Sequence, residues 1–145
     1  MKYGFWFISI GLIILANDGC SVKENLGNGY YILLKSNKTS ALFEGKVHHY
    51  HLFYRKKDLG IIKRASPRVS PSGRYVLYYS PLDKDYRGWI VFDSETSDVI
   101  QTNKTEFIRF KKVEWHEEEK KVTLYKSGKG DFENIRWNTR PVFSN

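Results

Sequence analysis

Two segments of this chain are apolar on both faces of a strand, and they constrain its architecture more than any other feature. In Tyr75-Val76-Leu77-Tyr78-Tyr79 successive side chains of an extended backbone point to opposite sides. Tyr75, Leu77 and Tyr79 therefore face one way, and Val76 and Tyr78 the other. Trp89-Ile90-Val91-Phe92 has the same property. A strand with one wet face alternates apolar and polar residues, whereas these two read as central strands covered on both sides. No stretch of eleven residues carries the 3.6-residue apolar period of a helix. The covers must then be other sheets, a loop or a partner, with the Tyr30–Tyr54 strands supplying part of them.

The rest of the chain fits that frame. Candidate strands are Tyr30–Leu34, Val47–Tyr54, Gly60–Lys63, Arg74–Ser80, Trp89–Asp93, Asp98–Gln101, Glu106–Trp115, Val122–Lys126 and Asn134–Trp137, rich in the aromatic and β-branched residues that suit a pleated surface. Turn chemistry separates them at Asp58-Leu59-Gly60, Pro71-Ser72-Gly73, Ser94–Ser97, Glu117–Glu119 and Ser127–Gly130. The charged stretches Phe107–Lys112 and Lys120–Thr123 read as sheet edges, where charge prevents unwanted pairing. The expected fold is all-β, an antiparallel meander or sandwich-like single domain over residues 29–145. With 145 residues there is room for one domain, and 41% hydrophobic content is enough to give it a core. The single cysteine excludes a disulfide framework or a cysteine-rich zinc module.

The first nineteen residues read as an address. Met1-Lys2 is positive, and the 12 residues Phe5–Ala16 are almost wholly apolar. As helix that run reaches about 18 Å, short of the roughly 30 Å hydrocarbon core but suited to a signal peptide. Leu15-Ala16-Asn17-Asp18-Gly19-Cys20 follows and resembles the lipobox of bacterial lipoproteins, with Gly19 matching and Asn17 and Asp18 departing from its pattern. The resemblance implies cleavage before Cys20, acylation of that cysteine, and attachment to a membrane. Ser21 in the next position implies sorting to the outer membrane, facing the periplasm. A cut after Ser21 is the alternative and would release a soluble secreted protein. Residues 20–28 read as anchor and polar tether.

A second resemblance covers residues 66–125. Arg68-Val69-Ser70-Pro71-Ser72-Gly73-Arg74-Tyr75 reads as turn then strand, and Val113–Tyr125 repeats that rhythm about 45 residues on. With the Trp89–Gln101 hairpin between them, this stretch is similar to a blade of TolB-like β-propellers, with Ser72 and Ser97 at two positions where that family carries Asp and Gly. About 125 residues cannot close a ring of the usual 4–8 blades, so the resemblance implies local blade-like hairpins and not a closed propeller.

Residues able to carry chemistry are few. His49 and His51 share a strand face and His48 points away, which supplies two imidazoles without a third metal ligand. His116 with Glu117, Glu118 and Glu119 reads as a solvated hairpin turn. There is no Gly-x-Ser-x-Gly elbow, phosphate loop, His-Glu-x-x-His pair or calcium loop. The expectation is a binding module with no catalytic, metal or cofactor site, with an immunity protein against a delivered toxin and an envelope hydrolase as alternatives.

The net charge of +8 is distributed in short groups: Arg55-Lys56-Lys57, Lys63-Arg64-Arg68, Lys111-Lys112 and Lys120-Lys121. Basic groups among aromatics suit nucleic acid, but export removes that partner and leaves an acidic protein or an anionic envelope polymer. Arg55, Lys56, Lys57 and Lys63 are the expected contact residues.

Overall fold

The computed structural model describes residues 23–38, 46–81, 87–128 and 130–138. The stretch read as a leader, and Cys20, lie outside the described residues. The fold is all-β, three antiparallel sheets, none closed into a barrel. The first sheet is the meander β1 (Lys23–Gly27), β2 (Tyr30–Lys38), β3 (Lys46–Tyr54) and β4 (Lys57–Ile62). The middle sheet is β5 (Arg68–Val69), β6 (Tyr75–Ser80), β7 (Gly88–Asp93) and β8 (Asp98–Gln101). The last sheet holds β9 (Lys112–His116), β10 (Lys121–Tyr125) and β11 (Phe132–Arg136), with β10 in the centre.

The sheets stack face to face, and the doubly apolar strands explain why. β6 and β7 pair centrally, Leu77 opposite Val91 and Tyr79 opposite Trp89, and every residue of both strands is buried. Val76, Tyr78, Ile90 and Phe92 pack on Tyr30, Ile32, Leu52 and Ile62 of the first sheet. Tyr75, Leu77, Tyr79, Trp89 and Val91 pack on Val122, Leu124, Ile135 and Trp137 of the last. Both faces of the middle sheet are thus covered from within the chain. These two strands therefore leave no apolar face for a partner to cover.

Three segments differ from their sequence reading. β1 occupies Lys23–Gly27, inside the stretch read as tether; it is a polar, mostly exposed edge strand, so it lacks an apolar signature. Glu106–Lys111 is not strand but part of the β8–β9 connection. Its aromatics mimic strand alternation because they fold back onto the core: Phe107 stacks on Trp89 at 5.8 Å, and the Trp89 indole N–H donates to the Glu106 carbonyl at 3.0 Å. Lys120–Thr123 is not an edge either. Lys121 begins the central strand β10, and its ammonium reaches Glu119 at 2.8 Å.

Candidate functional site: the two ends of the stack

Antiparallel meanders place alternate connections at opposite ends. One end of the stack carries the tight turns at residues 27–29, 55–56, 70–74, 94–97 and 117–120. The other carries the crossovers between sheets, residues 63–67 and 102–111, together with the β10–β11 connection.

The turn end is knitted across the sheets. Gly73 has φ +77°, and a Cβ on it would fall 2.6 Å from Cγ of Asn28 in the β1–β2 turn. Only glycine admits both that conformation and that approach. The Ser72 N–H donates to Glu117 Oε1 at 3.1 Å, and its hydroxyl to Oε2, across 45 residues. The same spacing separates Asn28 from Gly73, so the weak sequence repeat corresponds to successive turns set side by side. Arg74 forms a two-pronged pair with the buried Asp93, Nε to Oδ1 at 2.9 Å and Nη2 to Oδ2 at 2.7 Å, and also pairs with Glu95. Burial pushes the Asp93 carboxyl up, but the Arg74 hydrogen bonds and the Glu95 N–H outweigh it and hold it below the usual carboxylate range.

The expected contact residues divide between the ends. Arg55, Lys56 and Lys57 lie at the turn end, where Lys57 donates to the Ser97 carbonyl at 3.0 Å and sits 5.1 Å from the Phe92 ring centroid. Lys63 lies beyond the far end of the six-residue strand β4, about 20 Å away at roughly 3.3 Å per residue. The four do not form one patch. Lys57 in particular joins the first and middle sheets.

The crossover end sets the Lys63-Arg64-Arg68 group against the aromatics of the 102–111 connection. Lys63 Nζ stands 3.7 Å from the Phe107 ring centroid, and the Arg68 guanidinium carbon 4.8 Å from that of Phe110. Arg68 donates only to the Ala65 and Pro67 carbonyls, and burial lowers its pKa. A cleft of about 310 Å³ opens beside Arg64, Pro67 and Arg68, and one of about 510 Å³ beside Lys104, Phe107, Arg109 and Lys126. Glu133 accepts from Lys104 at 2.9 Å and Lys126 at 3.1 Å, and those bonds hold its carboxyl low. Among the described residues Lys63, Arg68, Arg109 and Lys111 have no carboxylate partner.

The histidines fall elsewhere. His51 lies on the outer face of the first sheet, where its Nδ1 is 3.1 Å from both Asp58 oxygens. Its Nε2 is buried without a hydrogen-bond partner. Lys35 completes the group at 2.8 Å from Asp58. Burial raises the Asp58 pKa, but hydrogen bonds from Lys35, the Gly60 N–H and His51 overcome it and leave it lowered. His116 closes β9 beside the Glu117–Lys120 turn, with Nε2 3.9 Å from Glu114. Among the described residues no three His, Cys, Asp or Glu side chains converge on a common point suited to a metal ion. Comparison with protein-family models, with curated proteins and with solved structures finds no match to this chain.

Proposed function

We propose that the protein is an exported, lipid-anchored binding module of the cell envelope, attached through acylated Cys20 and acting without catalysis. The observation that supports a binding role is the state of its carboxylates. Asp58, Asp93, Glu114, Glu119 and Glu133 all have lowered pKa values, each through hydrogen bonds to a neighbour on the fold. Acid–base catalysis by carboxyl groups needs the opposite for one of them, a pKa raised toward neutrality. These five groups are held in place by the fold, and the basic side chains Lys63, Arg68, Arg109 and Lys111 have no carboxylate partner among the described residues. Acyl chains on Cys20 give stable attachment without any membrane-crossing element. Palmitate labelling of the full chain tests the anchor: label should enter the wild type and be lost in Cys20→Ala. Label that survives the substitution, or mature protein beginning at Val22, overturns it.

A further inference from the structure

We infer that the crossover end of the stack is a docking surface for anionic phospholipid head groups, lying against the same membrane that holds Cys20. The orientation rests on the anchor reading above; the surface chemistry does not. β1 runs from Lys23 toward the turn at Gly27, so the chain enters the fold at the crossover end. The Glu24–Arg64 ion pair, 3.4 Å long, fixes that entry beside the first crossover. Two residues, Ser21 and Val22, separate Cys20 from Lys23, and the three Cα-to-Cα steps span at most about 10 Å of extended chain. An acylated Cys20 therefore holds this end, and not the turn end, within about 10 Å of the bilayer surface.

The chemistry of the end suits that place. Lys63, Arg68, Arg109 and Lys111 have no carboxylate partner among the described residues. The large hydrophobic side chain most exposed among the described residues, Phe132 at 56%, sits here too, at the start of β11. Cations with an exposed aromatic are the features that favour the interface of an anionic bilayer. An acidic protein would find the same charges. The short link to the membrane favours the lipid, because it holds this surface at the bilayer and restricts access by a large soluble partner.

The test uses the chain from Val22 to Asn145. All members of both core clusters lie between Leu26 and Trp137, so this chain keeps the whole core and lacks the acyl anchor. It should sediment with vesicles of phosphatidylcholine plus phosphatidylglycerol, not with phosphatidylcholine alone, and salt should release it. Each cation near a bilayer contributes about fivefold in affinity, so Lys63→Gln, Arg109→Gln and Lys111→Gln together should weaken binding on the order of a hundredfold. Phe132→Ser should cost a few-fold. Arg55→Gln with Lys56→Gln, at the turn end and beyond the roughly 8 Å screening length of physiological salt, should change it less than about threefold. Melting curves of the variants guard against misfolding. Absence of binding to the anionic vesicles, equal loss from both sets, or binding to soluble polyglutamate in preference to vesicles overturns the inference, the last in favour of an acidic protein. Palmitate labelling of the full chain is read separately. Unlabelled protein that still binds vesicles sinks the anchor alone, and labelled protein that does not bind sinks the docking surface alone.

Discussion

The two ends of the stack share the same strands and differ in what those strands leave over. At the turn end the connections are tight, and several of their polar groups pair with one another: Ser72 with Glu117, Arg74 with Asp93 and Glu95, Lys57 with the Ser97 carbonyl. At the crossover end the chain needs longer connections to pass between sheets. Residues 102–111 wrap the core with their aromatics and leave Arg109 and Lys111 exposed, with no carboxylate partner among the described residues. Tight turns clasp one another across the sheets, while long connections carry side chains out for binding.

Substitutions can break that contrast, and the largest effect should come from beneath the crossover. Trp89 is fully buried against Tyr79, Phe107 and Phe110 and donates to Glu106, so it ties the 102–111 connection to the middle sheet. Trp89→Ala should cost about 4 kcal/mol, and in limited proteolysis the cuts should fall first after Arg109 and Lys111. Gly88→Ala probes the same connection through backbone alone. Gly88 has φ +110°, and a Cβ would fall 2.6 Å from the Lys104 carbonyl oxygen, so a loss of about 3 kcal/mol in denaturant melts is expected.

At the turn end Arg74→Ala leaves the Asp93 carboxylate buried without its partner and should cost about 3 kcal/mol. Acid probes the same pair. Because the folded-state pKa of Asp93 is lowered, its stabilisation is complete above the ordinary carboxylate pKa near 4 and is lost as pH falls through the folded value. Melting temperature should drop below about pH 4 in the wild type, with a shallower drop in Asp93→Asn. The smallest effect belongs to the clasp between turns: Ser72→Ala removes a hydroxyl bond to the half-exposed Glu117 and should cost about 1 kcal/mol. A Ser72→Ala loss larger than that of Trp89→Ala would reverse the contrast between the ends.

The sequence showed an all-β fold with doubly covered central strands because β6 and β7 are apolar on both faces, and the stacked sheets supply those covers. It hid β1, because an exposed edge strand of Lys, Glu and Asn looks like a linker. It misread Glu106–Lys111, because aromatics that fold back on a core alternate with charges much as a strand does. The candidate site was only half legible. The basic groups were visible as runs of residues, but whether two runs meet depends on which end of a strand each occupies. β4 carries Lys63 away from Arg55, Lys56 and Lys57, while the crossover at 102–111 brings Phe107 to it from more than forty residues along the chain. Proximity across sheets leaves no mark on local sequence.

The meander order also governs how the nascent chain comes together. Each sheet is complete from one contiguous stretch, so pairing is local for an all-β protein and favours rapid folding. Yet the middle sheet finishes at Gln101, while Val122, Leu124 and Ile135, which seal one of its faces, are made later. While the chain emerges N-terminus first, Leu77, Val91 and Trp89 present a bare apolar wall until the last sheet follows, with the Phe107–Phe110 segment arriving early to shield it. A chain that has emerged only as far as Gln101 is therefore the species most prone to aggregate.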